Sequence, residues 1–201
     1  MKETIVAIVY CSRYGHTKLM AERVQRGAVA VPGTKVLLMT AQEATNRLEE
    51  LDKADAIVYG TPTYMGNIAS EMKAFMEAGV GRWVSRAWHD KIAGGFTNSS
   101  NFSGDKLNTL NGLMVNAMQQ GMIWVGLEQL PGANEPDSAK SVDGPGPNAL
   151  NRNCGSLGPM ASSFNVKAPD APPAGDLQTA EDYGKRIAVI AAQFKRGKEG
   201  D

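Results

Sequence analysis

The sequence predicts an α/β protein, a doubly wound five-stranded parallel sheet in the order 2-1-3-4-5 with helices on both faces. Two observations lead there. Five short apolar segments alternate with helical patterns along the chain. The segments are apolar at successive residues, which marks strands covered on both sides. Right-handed crossovers between five such strands then make 2-1-3-4-5 the leading order. At 201 residues, one domain with a substantial core is expected over the whole chain, residues 1–201.

The elements follow in sequence. Thr4–Tyr10 opens the sheet as a β-branched run, and a helical pattern over His16–Val31 returns the chain. Strand two is expected at Lys35–Thr40, with a helix over Gln42–Leu51. Strand three falls at Ala56–Gly60, followed by a helix over Ile68–Ala78. Strand four is Ile92–Thr97, with a helix over Ser103–Gln120. The last strand is Met122–Val125, and the last helix is Leu177–Phe194. Between Gly126 and Gly175 the chain is rich in Gly, Pro, Asn and Ser, including Asp143-Gly144-Pro145-Gly146-Pro147-Asn148. Such a stretch is too long for an ordinary connector. The stretch over about residues 126–175 reads as a functional excursion or a partly disordered one, and Leu150, Leu157, Met160 and Phe164, as anchors, favour an ordered excursion.

Lys and Arg number 21, as do Asp and Glu, so the formal net charge is zero. That balance argues against nucleic acid as the main partner and gives no charge repulsion against self-association. No apolar stretch approaches the roughly 20 residues that span a bilayer. The N-terminus lacks the basic-then-apolar layout of a signal peptide. Cys11 and Cys154 form neither a CxxC nor a metal spacing, and no metal site is expected. The chain reads as soluble and cytoplasmic with reduced thiols.

Ligands of such a sheet sit outside the strand C-termini, beside the switch in strand order. The loops after strands one, three and four therefore meet at one site. After strand one comes Cys11-Ser12-Arg13-Tyr14-Gly15-His16-Thr17, a hydroxyl- and glycine-bearing turn at a helix N-terminus. Free backbone N–H groups and the helix dipole there favour an anion, and Ser12 and Thr17 add hydroxyl donors. The turn has neither the Gly-Lys-Ser/Thr of an ATPase nor a Gly-x-Gly-x-x-Gly. A phosphate held without lysine suggests a bound mononucleotide. The loops Gly60–Asn67 and Phe96–Gly104 are rich in small hydroxyl and amide residues, suited to hydrogen-bonding a polar heterocycle.

These elements resemble the flavodoxin-like NAD(P)H:quinone oxidoreductases of the WrbA type. The resemblance rests on Ser12–Thr17, on Gly60-Thr61-Pro62-Thr63-Tyr64-Met65-Gly66-Asn67, on Gly81-Arg82-Trp83-Val84-Ser85 and on the Phe96–Gly104 loop, in register over about residues 4–126. It implies FMN as cofactor and NAD(P)H as electron donor. Ser12, Arg13, Tyr14, Gly15, His16 and Thr17 would hold the phosphate, with Tyr14 also beside the isoalloxazine. Pro62, Thr63, Tyr64, Met65 and Gly66 would line the ring. Asn98, Ser99, Ser100, Asn101 and Ser103 would contact the ribityl chain and phosphate. Trp83, Tyr14 and Gln119 would meet the substrate. The flavin would carry the chemistry with no catalytic side chain, passing two electrons from NAD(P)H to a small-molecule quinone. The resemblance also implies a homodimer or homotetramer whose neighbouring subunits help wall the flavin.

The chain departs from that pattern at three places. Tyr64 stands where the family often has arginine, which removes a positive charge near the ring. Gln119 stands where the family has a histidine. Thr40 to Asp55 lacks the family's usual insertion. Two other readings follow from the residues, an electron-carrier flavodoxin and a flavin-binding scaffold without turnover. The neutral charge balance counts against a carrier, which usually docks through an acidic surplus. Plainer roles are expected for several residues. His16 should pack or hydrogen-bond at its helix start, His89 should be a surface residue, and Trp88, Trp124 and Cys11 should pack.

Overall fold

A computed structural model describes residues 3–134 and 141–199. Strands β1 (Thr4–Tyr10), β2 (Thr34–Thr40), β3 (Ala56–Tyr64), β5 (Ile92–Ser99) and β6 (Ile123–Trp124) form one parallel path in the order β2-β1-β3-β5-β6. This is the expected fold class and strand order. Two short strands are additional. β4 (Asn67–Ile68) pairs antiparallel with the end of β3, and β7 (Met160–Ser162) pairs parallel with the end of β5.

Alternation along each strand sends side chains to two separate cores. Ala7, Val9, Ile57, Tyr59 and Ala93 face α4 (Ser70–Ala78) and α6 (Lys106–Gln119), where Met72, Phe75, Leu110 and Leu113 close the layer. Val6, Ile8, Ala56, Val58, Ile92 and Phe96 face α1 (His16–Val29) and α7 (Ala174–Glu199), with Met20, Val24, Tyr183 and Ile187 packed against them. Gly94 is the position in β5 where backbone must come close. A Cβ there would overlap the Tyr183 hydroxyl, which donates to Val125 O at 2.5 Å and accepts from Gly95 N at 3.3 Å.

Several boundaries differ from the expected ones, each for a local reason. The helix over Gln42–Leu51 is two, α2 (Ala41–Asn46) and α3 (Leu48–Leu51), broken at Arg47 with φ −131°. A Thr40/Glu43 capping box starts α2. β3 runs on past Gly60 to Tyr64 and turns through Met65 (φ 48°) and Gly66 (φ 76°), so Gly60–Asn67 is a hairpin rather than a loop. Both central residues have positive φ, as a two-residue type I′ turn requires. Ile68 therefore belongs to β4, and α4 starts at Ser70. The helix expected from Ser103 starts at Lys106, after Gly104 and Asp105 in left-handed conformations. A short α5 (Val80–Ser85) follows α4.

The excursion is bracketed by the sheet. β6 pairs with Ile92 and Ala93, and β7 pairs with Thr97, Asn98 and Ser99. Both lie on the same edge of β5, so the chain leaves the fifth strand position after Trp124 and resumes it at Met160. Trp88 is fully buried and donates to Asp52 at 2.8 Å, Trp124 donates to Leu157 O at 3.0 Å, and His89 lies exposed beside Asp90. Among the described residues no helix is long and apolar enough to cross a membrane.

Candidate functional site

The C-terminal ends of β1, β3 and β5 converge on a cavity of about 580 Å³. That is within the roughly 300–1,000 Å³ of small-molecule sites. It lies beside the point where the order of strand connection reverses, between β1 and β3.

The first wall is the turn from β1 into α1. Gly15 is the N-cap with φ 90°, a conformation costly for residues with a Cβ, and its N–H donates to Ser12 Oγ at 3.1 Å. This leaves the Ser12 O–H free to donate outward. The first N–H groups of α1 have no intrahelical acceptor. Thr17 is buried beneath them, and Ser12, Tyr14, His16 and Thr17 all line the cavity. Arg13 turns away: it makes two hydrogen bonds to Glu71, at 2.6 and 2.9 Å, and lies 5.1 Å from the centre of the Tyr64 ring. Those bonds hold the Glu71 carboxyl down to about 2. Cys11, buried beside Thr61, has its thiol pushed up by burial.

The second wall is the end of β3. Pro62, Thr63 and Tyr64 line the cavity. Thr63 Oγ1 is tied to Thr97 Oγ1 at 2.9 Å and to Thr109 Oγ1 at 2.8 Å, a buried hydroxyl cluster beneath the floor. Tyr64 meets Tyr14 edge to face, ring centres 6.4 Å apart, and partial burial raises its phenol pKa. Tyr14 is 73% exposed, so this aromatic pair sits at the mouth. Met65 points fully into solvent at the hairpin tip, and Gly66 is in the turn beside it.

The third wall is the end of β5, with Asn98, Ser99 and Ser100. Asn98 Nδ2 donates to Ser163 Oγ at 3.3 Å, while its buried Oδ1 has no partner. Asn101 and Ser103 are exposed and do not line the cavity. Asn101 O instead accepts from Lys106 Nζ.

A fourth wall was not anticipated. Ser163, Asn165, Val166, Lys167 and Ala168, from the returning excursion, line the cavity between the end of β5 and the start of α1. Ser163 N and Phe164 N donate to Ser99 O and Ser100 O at 3.0 and 2.8 Å, and Ser100 Oγ donates to Asn165 at 2.9 Å. His16 Nε2 donates to Val166 O at 2.7 Å, so His16 ties the first wall to the fourth, in keeping with the plainer role expected for it. The run Ser162-Ser163-Phe164-Asn165 repeats the composition of Ser99-Ser100-Asn101-Phe102. That likeness was the available signal.

Two expected substrate residues stand elsewhere. Trp83 is on α5, half-exposed beside the exposed Val80 and Val84. Gln119 is at the end of α6, lining a separate groove with Asn67, Ile68 and Met76.

Comparison with known proteins places this geometry among flavodoxin-like chains. A family profile described as "Flavodoxin domain" matches residues 7–82. The chain is 35% identical to Flavodoxin FldP of Pseudomonas aeruginosa, over 93% of this chain and 96% of that one. It is 31% identical to an NAD(P)H dehydrogenase (quinone) of Geotalea uraniireducens, over 95% and 99% of the two chains. A solved flavodoxin, the WrbA-like protein from Agrobacterium tumefaciens, superposes with a TM-score of 0.71 at 36% identity, covering 96% of this chain and 99% of that one.

Proposed function

Because the chain belongs to the flavodoxin-like family that includes WrbA-like proteins and NAD(P)H dehydrogenases (quinone), we propose that it binds FMN in this cavity and passes two electrons from NAD(P)H to quinones. The observation that carries the reading is the lining itself. Three strand ends bring hydroxyls, an amide and a helix N-terminus to one cavity whose lining residues include no carboxylate. Such a lining accepts a phosphate and a polar heterocycle without repelling either.

The residues divide the work. Ser12 O–H, Thr17 and the first N–H groups of α1 hold the phosphate. Lys167, in the fourth wall, adds a cation to a site whose first wall has Arg13 engaged with Glu71. The unpartnered Asn98 Oδ1 suits a donor of the ring system, since a buried acceptor left alone costs about 1–3 kcal/mol. Ser99 and Ser100 face the ribityl chain. Val166 and Ala168 help close the cavity from the excursion side. FMN, when bound, supplies hydride acceptance from the nicotinamide and delivery to the quinone. Tyr14 and Tyr64 offer aromatic edges at the mouth where either planar substrate can pack.

Trp83 reaches a substrate only if a second subunit brings α5 to the mouth, so its assignment goes with a homodimer or homotetramer. Equilibrium sedimentation with and without FMN tests that, and a monomer under both conditions removes Trp83 from the site. Gln119, in its separate groove, stays assigned to the substrate only through the same assembly.

Similarity to Flavodoxin FldP favours a second reading, an electron carrier. Steady-state oxidation of NAD(P)H with benzoquinone separates the two. The enzyme gives ping-pong turnover, whereas a carrier gives none without a separate reductase. FMN titration comes first, since a folded sample that takes up no FMN ends both readings. Ser12→Asp should weaken FMN binding by roughly tenfold or more through like-charge repulsion. Unchanged affinity would move the phosphate elsewhere.

A further inference from the structure

Lys106 is the first residue of α6, and its side chain is fully buried. A buried ammonium is costly unless all its protons are used. Here they are. Nζ lies 3.0 Å from Ser99 Oγ, 2.6 Å from Asn101 O and 2.9 Å from Ser162 Oγ. The two serine hydroxyls have their own protons committed, Ser99 Oγ to Asn101 O at 3.0 Å and Ser162 Oγ to Asn153 Oδ1 at 2.7 Å. Both oxygens therefore accept from the lysine. Three acceptors need three N–H donors, which an ammonium has and a neutral amine lacks.

The partners come from two chain segments. Ser99 and Asn101 belong to the end of β5 and the loop after it, while Ser162 ends β7. These segments carry the third and fourth walls. We propose that Lys106 is a positioning residue for the cofactor, its ammonium clamping the loop after β5 to the end of β7 so that Ser99, Ser100 and Ser163 face the cavity together. The proposal rests on the FMN reading.

Two charged groups accompany the clamp. Asp176, on α7, accepts from Ser162 N at 3.0 Å and Asn153 Nδ2 at 3.1 Å, and lies 3.2 Å from Arg152 Nε. Arg152, in the excursion, sets its guanidinium 5.0 Å from the Phe102 ring centre and 5.6 Å from that of Phe164. Burial lowers the Lys106 pKa to about 8, with Asp176 opposing and Arg152 assisting. The third donor is thus lost within an accessible pH range.

The test measures FMN affinity of apo-protein by flavin fluorescence quenching, for wild type, Lys106→Met and Lys106→Arg, between about pH 7 and pH 9. Lys106→Met should bind FMN roughly tenfold more weakly at pH 7, the scale of one charge-assisted hydrogen bond. Wild-type affinity should fall as pH rises through 8, the variant's should not, and Lys106→Arg should recover part of the loss without the pH step. Amide hydrogen exchange on apo-protein should show lost protection at residues 99–102 and 162–164 in Lys106→Met, with α1 unchanged. If Lys106→Met binds FMN within twofold of wild type, or wild-type affinity is flat across the range, the proposal is overturned. The wild-type profile needs no variant, so misfolding of Lys106→Met leaves the proposal exposed to refutation. Wild type that binds no FMN at any pH refutes the FMN reading itself, a distinct result.

Discussion

On its α1 side the cavity is walled by a strand-to-helix turn whose charged pair, Arg13 and Glu71, lies in water. Along the end of β5 it is walled by a returning segment held through buried charges, Arg152 in the excursion, Asp176 on α7 and Lys106 on α6. The first wall follows from seven consecutive residues and one left-handed glycine. The second is assembled from segments far apart in sequence, with Lys106 reaching Ser162 across 56 residues. An exposed pair adds little to stability, and a buried set pays desolvation against its Coulomb gain. What the buried set does supply is a single docking geometry for a glycine- and proline-rich segment with few large apolar residues of its own.

The comparison breaks most strongly at Asp176. Asp176→Leu removes the acceptor of Ser162 N and the counter-charge of Arg152, and should cost about 3 kcal/mol in urea denaturation. Limited proteolysis should then open the excursion while α1 stays protected. A loss below about 1 kcal/mol would mean that the buried charges do not anchor this wall. Next comes Gly15→Ala, at about 1–2 kcal/mol for forcing a Cβ into the left-handed region. The new Cβ would also meet Ala168 Cβ at 2.9 Å, so Ala168→Gly in the same chain should return the steric part only. Full recovery in the double variant would show that the fourth wall, not the turn, sets the strain.

The two sides should also respond oppositely to acid. Burial raises Asp176 from 3.8 to about 6, so the folded state binds that proton more tightly than the unfolded chain. Its contribution to stability falls as pH rises from 3.8 through 6. Glu71 is depressed from 4.5 to about 2, so its contribution is present above 4.5 and is lost as pH falls through 2. Denaturation midpoints from pH 2 to 7 should show both slopes in wild type, and Asp176→Asn and Glu71→Gln should each lose one. The smallest effect is Glu71→Gln at neutral pH, about 0.5 kcal/mol or less, because both partners are exposed.

Legibility in the sequence divided along the same line. That Ser12, Tyr14, His16 and Thr17 line one cavity is legible because a β-branched run, a glycine turn and a helix start are signalled within one short window. Thr63 was placed at the site, yet its burial against Thr97 and Thr109 depends on two other elements. Arg13 was expected at the phosphate, but Glu71 on α4 captures it. The fourth wall is not legible in any local period, because its hydrogen bonds join Ser163 to Ser99 and Val166 to His16; the likeness of residues 162–165 to residues 99–102 is its one trace in the sequence.

The sequence by itself determined the strand order, the two-faced cores and the glycine turn at the head of α1. Hydrophobic periodicity and turn chemistry act over a few residues and are written in consecutive letters. Only the tertiary structure decided that the excursion returns to extend the β5 edge, and that Lys106 lies beneath the cavity wall with all three protons engaged. Those outcomes come from burial and donor counting among residues tens of positions apart, quantities that exist only once the chain has closed on itself.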